Sequence, residues 1–94
     1  MWMGVPFVTL RGRTHAGRMA ASAVTHAGFG QHVAANADAF VAIARRLASD
    51  LPRLADLRRS MRAAMRTSPL MDAASFTAGW EQALRDACVA AAIP

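Results

Sequence analysis

The chain has 94 residues, 54% of them apolar, a single cysteine, and a formal net charge of +5 in which every basic residue is arginine. This bounds it to one domain with a modest core and excludes a disordered segment. Lone Cys88 excludes an internal disulfide and a cysteine-based zinc site, and no apolar run approaches the roughly 18 residues that a membrane span needs.

The elements follow from the amino terminus. Met1-Trp2-Met3-Gly4 has no charged region followed by an apolar stretch, so it does not read as a signal peptide, and the expected compartment is the cytoplasm. Val5 to Leu10 is apolar and β-branched on both faces, the composition of a strand buried inside a parallel sheet. Arg11 to Thr14 is a short loop, and Thr14 is placed to cap a helix from about His15 to Ala27. Gly28 and Gly30 break that helix and admit a brief extended piece near His32 to Ala34.

Three helices come next. Asn36 is the expected cap of the first, with Asp38 in its opening turn and Phe40, Ile43, Ala44 and Leu47 at helical spacing. Asp50 caps the second, where Pro52 is tolerated in the first turn and Leu54, Leu57, Met61 and Met65 form one apolar stripe. Ser68-Pro69 stops it. Asp72 caps the last helix, with Phe76, Trp80, Leu84 and Ala87 sharing a face that reads as packing, and Cys88 as a small buried hydrophobe. Almost nothing else reads as a strand. One buried strand cannot satisfy its own backbone groups, so the rest of its sheet is expected elsewhere, and the chain reads as the tail of a larger α/β domain.

Charge placement narrows the partners. Arg45, Arg46, Arg53, Arg58, Arg59, Arg62 and Arg66 are interleaved with Asp50 and Asp56 and lack alternating aromatics, so a solvated helix face is the expectation and a nucleic-acid patch is not. His26 and His32 form no pair at ligand spacing with an acidic partner, so no metal is expected. Ser22 lies inside a helix without an evident base, and Glu81 and Asp86 diverge in angle on the last helix. No catalytic residue is assigned within the chain.

The loop after the strand is the candidate ligand-binding feature. Gly12, Thr14, His15 and Arg18 surround the amino end of a helix at the carboxyl end of a strand, where N–H groups and the helix dipole favour an anion. His15 reads either as a donor to such an anion or as a solvated loop residue. Arg18 reads either as a cation for the same pocket or as a partner of the neighbouring loop.

The same residues carry a family resemblance. Gly4-Val5-Pro6-Phe7-Val8-Thr9-Leu10, Gly12, Thr14-His15-Ala16-Gly17-Arg18 and Ala21-Ser22 resemble the Gly-Val-Pro-Val-Val-Thr-Leu-Pro-Gly … His-Ala-Ser-Arg-Val-Gly-Ala-Ser stretch of the O-linked N-acetylglucosamine transferases and SPINDLY-type glycosyltransferases of family 41. Gly28-Phe29-Gly30-Gln31-His32-Val33-Ala34 is similar to the family's Gly-Leu-Pro-Glu-Leu-Ile-Ala, and Ser68-Pro69-Leu70-Met71-Asp72 to its Ser-Pro-Leu-Phe-Asp. Phe76 and Trp80-Glu81 fall where the last helix of the family has an aromatic and a hydrophobic-Glu pair. The chain departs from the pattern at Arg11 (proline in the family), Gly17 (serine) and Gln31 (glutamate), and in its alanine-rich finish.

The resemblance implies a fold class and a reaction. The fold is α/β and mostly helical: residues 1–94 as the carboxyl-terminal, incomplete part of a Rossmann-like lobe of a two-lobed GT-B enzyme, with one buried strand, a short second strand and about four helices. The reaction is the metal-free, cofactor-free, inverting transfer of N-acetylglucosamine or a related hexose from a uridine diphosphate sugar to a protein Ser or Thr. The resemblance also places the uracil-, ribose- and diphosphate-holding loops upstream of Met1, so Gly12, Thr14, His15 and Arg18 are the donor-binding candidates and the chain alone is expected to be inactive. Donor sugar and acceptor protein are then partners of the complete enzyme. Two other readings stay open from the residues: a non-catalytic helical module pairing with a separately encoded amino-terminal half, and a basic nucleic-acid-binding domain.

Overall fold

A computed structural model describes residues 1–92. Strand β1 (Thr9–Leu10) is followed by α1 (His15–His26), a 3-10 turn (Gly30–His32), β2 (Val33–Ala34), α2 (Ala37–Ser49), α3 (Leu51–Arg66), a second 3-10 turn (Pro69–Met71) and α4 (Ala73–Ala90). β1 and β2 run parallel, with Thr9 opposite Val33 and Leu10 opposite Ala34. The N–H of Arg11 donates to the carbonyl of Ala34 at 2.9 Å and carries the ladder one residue further. Parallel strands need a crossover. α1 supplies it and packs against both strands, and α2 packs against them as well.

Every expected cap is in place. The side chains of Thr14, Asn36, Asp50 and Asp72 accept from the N–H groups of Gly17, Ala39, Arg53 and Ser75, at 2.8 to 3.1 Å. Each such bond satisfies a donor that the helix leaves open, worth about 1 kcal/mol. The bonds from Ser75 hold the Asp72 carboxyl below its usual range. Pro52 sits in the first turn of α3, where its missing N–H costs nothing.

The core is small. Val24 and Ala27 close the end of α1, Phe29 follows, and Met61 of α3 completes the cluster, with Met1, Val33, Leu57 and Met65 packed around it. The Leu57, Met61 and Met65 stripe is therefore core, as its spacing indicates. A strap from the amino terminus joins it. Arg58 Nε donates to the Gly4 carbonyl and Arg62 Nε to the Trp2 carbonyl, each at 2.9 Å. The guanidinium carbons of Arg62 and Arg66 lie 5.2 and 5.5 Å from the Trp2 ring centroid, within cation–π range. Gly4 has φ +74°, and a Cβ there would meet the Arg58 carbonyl oxygen at 2.8 Å, so this contact needs glycine for its backbone angle and for its lack of side chain.

Three expectations are corrected. Val5 to Leu10 is not a fully buried strand: the strand covers Thr9–Leu10 with one further bond from Arg11, and Val5 is 54% exposed. With β2 as its one described neighbour, β1 has an open edge and a partly open face. The aromatic face of α4 does not pack: Phe76 is 70% and Trp80 59% exposed, with Leu84 and Ala87 also on the surface. Cys88 is exposed rather than buried. α4 meets the rest of the chain chiefly at the Pro69–Met71 turn and projects away, giving extents of 59 × 29 × 15 Å.

Met61→Ala should therefore cost about 2–5 kcal/mol of the little stability this core provides. Trp80→Ala should move it by less than about 0.5 kcal/mol, as for an exposed residue. Urea melts followed by circular dichroism separate the two; equal losses would mean that α4 packs in solution.

Candidate functional site

The loop after β1 is closed by its own backbone. The N–H of Gly12 donates to the Gly17 carbonyl at 2.9 Å, and the N–H of Gly17 to Thr14 Oγ1 at 3.1 Å. A Cβ at Gly12 would lie 2.9 Å from Gly17 Cα, and one at Gly17 would lie 3.2 Å from Gly12 Cα. Gly12 is therefore required for the close approach that folds the loop onto the first turn of α1, and a side chain at Gly17 would need its neighbours to shift by a few tenths of an ångström. Arg18 Nε then donates to the Gly12 carbonyl at 2.9 Å and locks the loop from the other side.

Of the two readings of Arg18, loop pairing is present: its Nε donates to the Gly12 carbonyl. Thr14 is the cap. His15 is exposed at the first position of α1. The N–H groups of His15 and Ala16, the first two of the helix, have no intrahelical acceptor and point out of its amino end. All four candidates, Gly12, Thr14, His15 and Arg18, thus come together at the carboxyl end of β1, with outward donors and the positive end of the α1 dipole.

The arginines of α3 are not simply a solvated face. Arg58, Arg62 and Arg66 hold the amino-terminal strap, and Arg59 pairs with Asp56 on the surface. The strap was missed because its acceptors are backbone carbonyls about 55 to 60 positions away in sequence, which leave no side-chain signature; Trp2 beside arginines at i, i+4 spacing was the available signal.

Two histidines have unexpected surroundings. His26 Nδ1 lies 2.7 Å from the Ser22 carbonyl oxygen and 3.4 Å from Ser22 Oγ. A carbonyl only accepts, so Nδ1 carries the proton, and it cannot serve as a base for Ser22. His32 is buried, at 5% exposure, with its ring stacked on Phe29 at 5.9 Å between centroids. Desolvation, with the Arg46 charge adding to it, holds the His32 pKa below its ordinary value. Among the described residues no three His, Cys, Asp or Glu side chains gather to hold a metal ion, and no helix is long and apolar enough to cross a membrane.

Comparison with known proteins adds the family. The profile described as Glycosyl transferase family 41 matches residues 1–80. Curated relatives named "Probable UDP-N-acetylglucosamine--peptide N-acetylglucosaminyltransferase SPINDLY" include those of Hordeum vulgare, 45% identical over 85 residues, Oryza sativa subsp. japonica, 41% over 86, and Arabidopsis thaliana, 42% over 86. These matches cover 90%, 92% and 92% of the chain, which spans 9% of the length of each relative. The chain belongs to glycosyl transferase family 41, and its resemblance to SPINDLY-type transferases is established over nearly its full length.

His32 makes stability depend on pH. Its pKa is lower folded than unfolded, so the unfolded chain takes up a proton first as pH falls. Stability should be full above about pH 6.5, the ordinary histidine value. It should decline below that until folded His32 also protonates. Urea midpoints between pH 8 and 5 test this: His32→Leu should flatten the slope below about pH 6.5, and an unchanged slope would remove His32 as its source.

Proposed function

We propose that this member of glycosyl transferase family 41 is the carboxyl-terminal part of the nucleotide-binding lobe of a two-lobed (GT-B) glycosyltransferase. The reaction is transfer of N-acetylglucosamine, or a related hexose, from a uridine diphosphate sugar to a protein Ser or Thr. The supporting observation is the closed Gly12–Gly17 loop at the carboxyl end of β1, with the amino end of α1 opening outward beside it. In open α/β sheets such ends are where ligands bind.

The reaction needs charge stabilisation at a definite place. The acceptor hydroxyl oxygen bonds to the sugar C1 as the C1–O bond to the diphosphate breaks. The hydroxyl proton leaves to a base, and the diphosphate departs with the bonding electron pair. Negative charge therefore grows on phosphate oxygens, where fixed donors stabilise the transition state. In this chain the His15 and Ala16 N–H groups and the His15 imidazole are the proposed donors. Thr14 and Arg18 are positioning residues that hold those donors by capping α1 and tying down Gly12. The attacking-side base and the groups for uracil and ribose come from other segments of the enzyme.

The open edge of β1 and the uncovered face of α4 support the same reading, because both are places where further parts of a lobe would pack. They serve equally a helical module that pairs with a separately encoded amino-terminal half. A nucleic-acid role is disfavoured: Arg58, Arg62 and Arg66 are engaged by the strap and Arg59 by Asp56.

Calorimetric titration of the 94-residue chain with uridine diphosphate tests the placement. The expected dissociation constant is millimolar or weaker, since a helix end and one or two donors supply about −4 kcal/mol, half of what micromolar binding requires. No sugar should be transferred or hydrolysed from the uridine diphosphate donor by the chain alone. A micromolar constant would put the pocket within these residues and overturn the assignment. In a chimera with this segment in place of its counterpart in a SPINDLY-type relative, Arg18→Ala should lower turnover about tenfold or more, on the scale of lost positioning. Arg59→Ala should leave it within about twofold, as for a surface pair.

A further inference from the structure

A second polar feature lies at the opposite end of the sheet. The Gly30–His32 turn leads into the amino end of β2, whereas the Gly12 loop leaves the carboxyl end of the parallel β1. A cleft of about 300 Å³ opens there between that turn, α2 and α3. Its polar lining is Gln31 and His32 from the turn, Arg46 and Ser49 from α2, Asp50 at the helix junction and Arg53 from α3, with Ile43 among its apolar residues. The volume is at the lower end for a small-molecule site.

His32 makes this more than a surface groove. The ring is 95% buried by its 5% exposure and is clamped on Phe29, which belongs to the core. Its ring nitrogens make no hydrogen bond to another described residue, yet no described side-chain nitrogen or oxygen is both sealed from solvent and unpartnered. The ring nitrogens therefore reach solvent, and the residue lines the cleft. A ring clamped by Phe29 at the cleft, with nitrogens that no described residue engages, leaves a donor available to a ligand.

The charges say which ligand. The Arg46 and Arg53 guanidinium groups line the same cleft and form no ion pair or side-chain hydrogen bond with the described residues. Asp50 is the single acidic group of the lining, and its Oδ1 accepts the Arg53 N–H to cap α3. The cleft thus holds two cations against one anion already turned to a helix end. Guanidinium groups present paired N–H donors that match the oxygens of phosphate or carboxylate.

We propose that this cleft binds a small tetrahedral oxyanion, free phosphate or the phosphate of a small sugar phosphate, between Arg46, Arg53 and the ring N–H of His32. The site is separate from the Gly12 loop and stands whether or not the transfer reaction is correctly assigned. The neutral ring donates one N–H to a phosphate oxygen while the two guanidinium groups neutralise its charge. The apolar residues of the lining limit water and strengthen both interactions.

Nitrogen-15 NMR of the three imidazoles in the full 94-residue chain, titrated with inorganic phosphate at pH 7 and constant ionic strength in sodium chloride, is the test. The His32 ring signals should shift saturably with a low-millimolar midpoint, while those of His15 and His26 stay within the change produced by chloride alone. Arg46→Gln and Arg53→Gln, both on the surface and checked for folding by circular dichroism, should each weaken the midpoint about tenfold, the scale of one charge-assisted contact. Arg59→Gln should not. Glucose 6-phosphate distinguishes the sources: tighter binding than phosphate assigns the cleft to a sugar phosphate, and equal binding to free phosphate. An unmoved His32, a parallel drift of all three histidines, or indifference to both arginine variants would overturn the proposal.

Discussion

The arrangement of this chain depends on one constraint: its two strands are parallel, and parallel strands cannot be joined by a tight turn. α1 has to cross from the end of β1 back to the start of β2. Its entry is shaped by the Gly12–Gly17 approach and its exit by Gly28, which has φ +91°. The crossover leaves the outgoing loop at one end of the sheet and the incoming Gly30–His32 turn at the other. Two polar features that lie within about twenty residues of sequence are thereby kept apart, one built on a helix amino end and one on a buried ring.

A two-residue ladder cannot hold this arrangement alone, and burial has to compensate. The cluster of Val24, Ala27, Phe29 and Met61 is too small to anchor an extended amino terminus by apolar contact. Arginines take over part of that task. Guanidinium groups at positions 58 and 62 satisfy backbone carbonyls of the strap while those at 62 and 66 flank the Trp2 ring. Hydrogen bonds from charged donors to backbone acceptors contribute more than neutral ones, although exposure to water reduces the gain. The basic character of the chain is thus in part structural, which is why its charge is a poor guide to its partners.

Local features were legible in the sequence, and long-range ones were not. Thr14, Asn36, Asp50 and Asp72 cap because a short acceptor side chain before an amphipathic run meets an orphan N–H three residues on, a relation internal to the segment. The Met61 stripe was legible for the same reason. Whether Val5 or Trp80 is covered depends on what lies beside it, and periodicity reports only which side chains share a face. Gly12, Thr14, His15 and Arg18 were found as a group from strand–loop–helix order, but the bond from Arg18 to Gly12 needs coordinates. His32 gave no local signal at all. Its ring stacks on Phe29 three residues earlier, and its turn packs against the preceding helix α1.

The exposed surfaces and the family relationship point in one direction. Val5, Phe76, Trp80 and Leu84 carry large apolar area into solvent on an elongated body. Scattered apolar side chains on a surface need no explanation. A helical stripe of Phe76, Trp80 and Leu84 and, elsewhere in the chain, an extended segment that retains strand composition are a different pattern, because each is patterned for a neighbour. Proteins that match this chain at 41–45% identity are about ten times its length by the 9% they share with it, so in those relatives the corresponding residues sit within a much larger body. The uncovered faces carry the apolar patterning that the proposed lobe would require of its packing surfaces. The closed loop at Gly12, by contrast, takes its geometry from hydrogen bonds within this chain alone.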